Sequence, residues 1–294
     1  MVTISAQIRR RRCEADLVNA RSALFDLYGD HLRDRGGRAP IAAVVKMLFA
    51  LDIAAPAVRT AVSRMVRQGW LESVRLPAGP GYALTPRAVR RLDEAARRIY
   101  RDAPRPWDGR WHLLVVQHLK DRARRTRLRA GLAYLGYAPL GEGVWIGPRV
   151  APELDALLDA EKVTAERFHS AYEGDQCGLV TRAWDLATLG AAYERWLAWA
   201  HETVRDSASL SDERAFALRS TLVHEWRKFL FLDPGLPSAV LPENWPGTVA
   251  AAFFDAEAAR LLPAAARFVD RCLDERPDER PDERPDEQGV RWPR

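Results

Sequence analysis

Cysteine is scarce, with Cys13, Cys177 and Cys272 the only ones in 294 residues. Three thiols so far apart cannot build a disulfide framework or a zinc cluster, and their odd number points to reduced, structural or incidental roles. Long hydrophobic runs are missing too. The longest candidate, Ile41 to Val58, is broken by Lys46 and Asp52 and falls short of the roughly 18–20 uncharged residues of a membrane span. A basic run, Arg9 to Arg12, is followed by Cys13-Glu14-Ala15-Asp16 rather than by the apolar stretch of a secretory signal, so a cytoplasmic location without a membrane partner is expected. The chain has no GxSxG elbow, no phosphate loop and no paired-cysteine motif. His224-Glu225 begins like the HExxH zinc motif, but Lys228 stands where the second histidine belongs. These absences predict a protein that is not an enzyme, with no metal, no cofactor and no catalytic residues.

What is present is a globular composition, 47% hydrophobic, at a length that suggests two or three units. The net charge of +5 hides an asymmetry. Residues 1–130 hold 27 Lys and Arg against 12 Asp and Glu, a net of +15, and the remainder holds 18 against 28, a net of −10. A basic first part joined to an acidic second part implies a polyanion partner at the N-terminal end, nucleic acid before an anionic surface.

The stretch Ala55 to Pro86 carries the strongest local pattern. Between Pro56 and Gln68, the apolar residues Val58, Ala61, Val62, Met65 and Val66 recur at three- and four-residue steps, which puts them on one helix face. Arg59, Thr60, Ser63, Arg64 and Arg67 occupy the other. Pro56 suits the first turn of the helix and Gly69 its left-handed end. Trp70 to Leu76 then alternates as a strand, Pro77 to Gly81 reads as a turn, and Tyr82 to Thr85 returns. Two helices precede this segment, Arg21 to Arg35 ended by Gly36-Gly37, and one opened by Pro40 with Val44, Val45, Met47, Leu48 and Leu51 apolar. Three helices followed by a hairpin are the order of a winged helix-turn-helix. An arginine on its last helix can grip guanine with a bidentate fork, while Ser and Thr hydroxyls serve phosphates or base edges. Arg59, Thr60, Ser63, Arg64 and Arg67, with Arg75 on the ribbon, are therefore the candidate DNA-binding residues.

The remaining chain divides by composition. Residues 1–19 read as a flexible arm and 20–86 as the winged helix. A basic connector helix spans 87–106, with Val89, Leu92, Ala96 and Ile99 as its apolar stripe and Pro104-Arg105-Pro106 as its break. Residues 107–175 run strand, helix, strand, strand, helix, strand: Trp111 to Val116, Arg122 to Leu135, Tyr137 to Leu140, Val144 to Gly147, Pro152 to Ala160, Glu166 to Tyr172. That is the order of a ferredoxin-like unit. Residues 176–273 read as mainly helical, with helices at Leu186 to Val204 and Asp212 to Phe231 and one or two more from Gly247 to Cys272. The Asp-Glu-Arg-Pro repeats of 274–294 lack apolar groups to bury and read as a disordered acidic tail. The fold class expected is α+β.

Three stretches carry a family resemblance: Ala20 to Asp30, Val58 to Leu71, and Leu222 to Pro237 continued by Leu241-Pro242-Glu243-Asn244-Trp245-Pro246-Gly247. With Trp107-Asp108-Gly109-Arg110-Trp111 they make the chain similar to the PaaX family of bacterial transcriptional repressors, over roughly residues 20–272. The resemblance implies the same three-part architecture and a repressor of an aromatic-acid or related catabolic operon, released by an acyl-CoA thioester. The ribbon carries only Arg75 where the family tends to place more basic residues, and the tail repeat has no family counterpart. An acyl-CoA needs an aromatic-lined cleft and cationic groups for its phosphates. His224, Trp226, Arg227, Lys228 and Trp245 offer those types and are the candidate effector-binding residues. The expected assembly is a homodimer on double-stranded DNA at an imperfect palindrome.

The alternative is a metal-dependent nuclease or hydrolase in the middle unit, with the winged helix as a docking module. Its nearest carboxylate is Asp121, which sits among Lys120, Arg122, Arg124 and Arg125 and reads as a solvated helix-start residue.

Overall fold

The structure is a computed structural model and describes residues 19–100, 106–207 and 209–275. The chain is α+β, with two antiparallel sheets embedded among helices. The run Arg9 to Arg12, Cys13, the connector's end at Pro104-Arg105 and the repeats beyond Glu275 lie outside the described residues.

Helix α1 spans Ala20–Asp26 and is capped by Asn19, whose Oδ1 accepts from the Ser22 amide at 2.9 Å. It continues as a π-helical turn over Leu27–Leu32 and a 3₁₀ turn over Arg33–Arg35. Gly36 and Gly37, at φ 81° and 64°, end it as expected. A short strand that the sequence did not announce, β1 (Arg38–Pro40), leads into α2 (Ile41–Phe49). Helix α3 covers Ala55–Arg67, with Pro56 in its first turn and Gly69 left-handed at φ 70° just beyond it. Strands β2 (Leu71–Leu76) and β3 (Gly79–Leu84) follow.

The expected turn from Pro77 to Gly81 is corrected here. Only Pro77-Ala78 form the turn, because Gly79, Pro80 and Gly81 pair with Leu76, Arg75 and Val74 as part of β3. The sheet order is β1-β3-β2, so the ribbon gains a third strand. Pro80 is tolerated in the central strand because β1 ends opposite Gly81 and asks Pro80 for no N–H. Gly81 has a specific reason to be glycine: a Cβ there would lie 2.5 Å from the Ala39 carbonyl oxygen and 2.7 Å from Leu76 Cδ1. Gly81→Ala should therefore push β1 off the sheet and cost about 1–3 kcal/mol. An unshifted urea midpoint would show that β1 does not close on β3.

Helix α4 (Pro86–Ile99) is capped by Thr85. Its buried stripe is Ala88, Leu92, Ala96 and Ile99; Val89, expected in that stripe, is turned to solvent. Ala88 takes its place because it falls a turn before Leu92, at the i−4 position.

The middle unit is β4 (Arg110–Val116), α5 (Arg122–Tyr134), β5 (Ala138–Gly141), β6 (Val144–Gly147), α6 (Leu154–Ala160) and β7 (Ala165–Ala171). Its sheet runs β5-β6-β4-β7, antiparallel throughout. Leu114 and Val116 of β4 meet Leu128 and Leu132 of α5 and Leu154 and Leu158 of α6 in one core. Trp111, on the other face, is covered by a helix absent from the sequence reading, α7 (Gln176–Ala183), through Leu179 and Val180.

Helices α8 (Leu186–Val204), α9 (Asp212–Trp226, extended by a 3₁₀ turn to Phe231) and α10 (Pro246–Asp274) follow. The last is one continuous helix that runs through Pro263. Tyr193, Trp196, Trp226, Phe229 and Phe254 form the centre of this unit. The N-terminal core is not closed by its own helices: Phe216 of α9 and Ala265, Phe268, Val269 and Cys272 of α10 complete it. The first and last thirds of the chain therefore share buried surface.

Candidate nucleic-acid interface and its polar support

The two faces of α3 separate as its spacing demands. Val58, Ala61, Val62 and Met65 are buried, while Arg59, Thr60, Ser63, Arg64 and Arg67 are exposed. Thr60 donates to the Pro56 carbonyl at 2.9 Å, a bond within its own helix. Arg75 is exposed on β2, opposite Pro80. Among the described residues none of Arg59, Arg64, Arg67 and Arg75 is paired with a carboxylate. Arg87 of α4 lies over the Trp70 ring at 4.8 Å and adds a cation beside the end of α3. The result is a row of unneutralised guanidinium groups on a rigid helix. Such a row suits a polyanion, because no internal acid has to be displaced first.

Behind this face stands a set of buried charges that the sequence reading missed. Asp26 and Asp30, one helical turn apart in α1 and its π-helical extension, both point at α9. The Asp26 carboxylate meets His224 Nδ1 at 2.7 Å and is also ion-paired with Arg227, which bonds the Ser22 hydroxyl as well. The Asp30 carboxylate takes a two-pronged grip from Arg219, Nε–Oδ2 2.9 Å and Nη2–Oδ1 2.7 Å, and a hydrogen bond from the Tyr100 hydroxyl. Next to it, His31 Nε2 lies 3.4 Å from the Ser220 hydroxyl. Read along the helices, Ser22, Asp26 and Asp30 on one side face Arg227, His224 and Arg219 on the other, an antiparallel ladder of polar contacts.

Burial sets the electrostatics of this ladder. It pushes the Asp26 carboxyl above its ordinary pKa, and the His224 and Arg227 contacts only partly oppose that. Burial also works against ionised Asp30, but His31 and Arg219, with the hydrogen bonds from Arg219 and Tyr100, outweigh it and hold that carboxyl low. His31 is driven down to about 4 by burial, with Asp30 pulling the other way. The Tyr100 phenol is raised, again chiefly by burial.

The candidate effector residues fall in different places. His224 and Trp226 are buried. Trp226 stacks on Phe254 at 4.8 Å, and its Nε1 donates to the Ile99 carbonyl at 3.3 Å. Arg227 belongs to the ladder. Lys228 is exposed and paired with Glu225 at 2.8 Å. Trp245 lies edge-on to Tyr193, which also touches Trp226. The structure thus joins His224 and Arg227 through Asp26, brings Trp226 and Trp245 each into contact with Tyr193, and leaves Lys228 apart. A signal for the ladder was present: Asp26 and Asp30 interrupt the apolar sequence Leu24-Phe25-Asp26-Leu27-Tyr28-Gly29-Asp30 at i and i+4, on the inward face. Asp121 is the N-cap of α5, where its carboxylate accepts from the amides of Ala123 at 2.8 Å and Arg124 at 3.2 Å. Among the described residues, no group of three or more His, Cys, Asp and Glu is placed to hold a metal ion.

The fold and this site define an α+β chain that presents a basic helix near its N-terminal end and ties its first helix to the C-terminal helices through buried charges. Three family models match it in succession: PaaX-like protein over residues 19–88, PaaX protein central Cas2-like domain over 104–177, and PaaX-like protein C-terminal domain over 184–271. The chain belongs to the PaaX family. It is 29% identical over 264 residues to the transcriptional repressor PaaX of Escherichia coli (strain K12), covering 86% of this chain and 83% of that protein. A solved structure of an uncharacterised protein from Mycobacterium tuberculosis superimposes with a TM-score of 0.57 at 25% identity, covering 87% of this chain and 99% of that one. No helix among the described residues is long and apolar enough to cross a membrane.

Proposed function

We propose that this chain is a sequence-specific, DNA-binding transcriptional repressor and not an enzyme. The observation that carries the reading is the carboxylate-free row of Arg59, Ser63, Arg64 and Arg67 on α3, and the similarity to a repressor of Escherichia coli supports it. In this reading residues 20–86 are a winged helix-turn-helix, with α3 in the major groove and Arg75 on the backbone. Residues 107–175 are a ferredoxin-like unit, consistent with the strand order β5-β6-β4-β7, and 176–273 are the helical unit that senses the effector. The protein works in the cytoplasm as a homodimer on an imperfect palindrome, its half-sites about 10 base pairs or a multiple apart.

An acyl-CoA thioester releases it from an aromatic-acid or related catabolic operon. A ligand can do this only by binding the DNA-free arrangement more tightly than the DNA-bound one. His224 and Arg227 are well placed to register such a difference, because both hold Asp26 of α1. Asp121, occupied as a helix cap, gives the nuclease reading no support.

The test is a gel shift on the promoter fragment adjoining the protein's own gene, titrated with salt and with a panel of acyl-CoA thioesters. Specific binding that falls steeply with salt and is released by one thioester but not by its free acid is the expected result. Salt-insensitive retention, or cleavage of the fragment that Asp121→Ala abolishes, would overturn the proposal.

A further inference from the structure

Helix α5 carries a second set of cations that the reading above leaves unused. It holds five arginines in 13 residues and no acidic side chain. Two of them fold inward onto the end of α6. Arg127 pairs with Glu161, Nε–Oε1 2.8 Å and Nη2–Oε2 3.0 Å, and Arg124 bonds the carbonyls of Glu161 and Lys162.

The others share one flank. Leu128 and Leu132 define the buried side of α5, and Gly131 lies against Leu157 of α6. At 100° per residue Arg122 and Arg129 lie on one flank of the helix, about 80–100° round from the midpoint of Leu128 and Leu132, with Arg125 between them and the buried side, and all three are exposed. Arg125 makes one internal bond, to the Leu119 carbonyl at 2.8 Å. Asp121 forms no ion pair with them; its carboxylate accepts from the amides of Arg124 and Ala123. Among the described residues no carboxylate is ion-paired with Lys120, Arg122, Arg125 or Arg129.

A solvated helix face is not usually built this way. Like charges three and four residues apart cost a helix about 0.2–0.5 kcal/mol per pair, and the last helix offsets its arginines with acids. On α10, Arg260 is paired with Glu257, and Arg267 and Arg271 with Asp212. On α5 the repulsion stands uncompensated. The helix is also firmly tied to the N-terminal unit: the Tyr134 hydroxyl at its end accepts from Arg91 of α4 at 2.6 Å, and Arg91 reaches Glu153 at 2.6 Å. Arg98 of α4 lies over the Tyr134 ring at 5.2 Å.

We propose that the Arg122–Arg125–Arg129 face of α5 is a second phosphate-binding surface, which holds the backbone of duplex DNA flanking the site read by α3. The inference rests on the reading of α3 as the DNA-reading helix. Arg122 and Arg129 stand about 10 Å apart along the helix axis, the span of about three successive phosphates of one strand. The contact carries no base information; it adds affinity and salt dependence and lengthens the footprint.

The experiment compares the full chain with Arg122→Gln/Arg129→Gln on two duplexes, one trimmed to the α3 sites and one extended by about one helical turn, ~10 base pairs, on each side. The wild type should gain affinity on extension. The variant should match it on the short duplex but lose about tenfold on the long one, with a salt dependence shallower by about 2 in log–log slope. Arg122→Lys/Arg129→Lys should restore the gain, which a merely structural defect would not allow, and the thermal midpoint of the glutamine variant should not fall. Equal affinity of wild type and variant on the long duplex, or no gain of the wild type on extension, overturns the proposal while leaving the α3 reading intact. No salt-dependent binding of the wild type to either duplex overturns both.

Discussion

The Arg59→Ala/Arg64→Ala double variant should lose specific operator binding by between about thirty-fold and about twenty-five-thousand-fold. The range follows from about 1–3 kcal/mol for each bidentate arginine–guanine contact. Both side chains are exposed on α3 and hold no partner inside the described fold, so their removal should leave stability within about 0.5 kcal/mol. Equilibrium binding to the operator and to a scrambled duplex, measured at one salt concentration, separates the outcomes. A drop on the operator with only a modest drop on the scrambled duplex assigns these arginines to base reading. An equal drop on both would make them phosphate contacts, and no drop at all would remove α3 from the interface.

The second large effect concerns stability. Arg219→Ala should destabilise the chain by about 3–5 kcal/mol, because it strands the buried Asp30 carboxylate without its main counter-charge. Arg219→Met combined with Asp30→Leu should cost much less, since two apolar side chains leave no buried charge behind. A double-mutant cycle in urea isolates the coupling; additive losses would show that the pair contributes nothing. Because Asp30 sits in the extension of α1 and Arg219 on α9, the single variant should also loosen the packing of α1 on the C-terminal helices and weaken operator binding more than the fraction unfolded explains.

Acid sensitivity follows from the same ladder. His31 is held near 4 in the folded chain against 6.5 for a free imidazole, so between those values the unfolded chain binds the extra proton. Stability therefore falls as pH drops from about 6.5 to 4, by ~3 kcal/mol from this group. Asp26, whose pKa is raised by burial, works in the opposite direction in acid, because the folded chain takes its proton first. His31→Leu should flatten the slope between pH 6.5 and 4 in denaturant titrations; an unchanged slope would place its source elsewhere.

Much of the fold was legible in local pattern. The apolar spacing of Val58 to Met65 and the stop at Gly69 located α3 to within one residue at each end, because a helix on a core must repeat its apolar side chains every three or four positions. Leu186–Val204 was read without error for the same reason. Strand β1 was not, because three residues are too few to show alternation. Gly79-Pro80-Gly81 was misread because its composition is that of a turn, whereas its conformation is set by pairing with β1 and β2. For the effector candidates, residue type suggested a ligand pocket, yet the structure spends His224 and Arg227 on Asp26, some 200 positions away in sequence.

The sequence by itself determined where most of the helices lie, which face of α3 is basic, and that the positive charge gathers in the first 130 residues. Those are consequences of spacing and of residue type, and spacing is local. Only the tertiary structure decided that the N-terminal core is finished by Phe216, Phe268 and Val269 of the last helices, and that Asp26 and Asp30 are buried against His224, Arg227 and Arg219. Burial and charge pairing depend on what the chain brings back from far along its length, and no local period records that return.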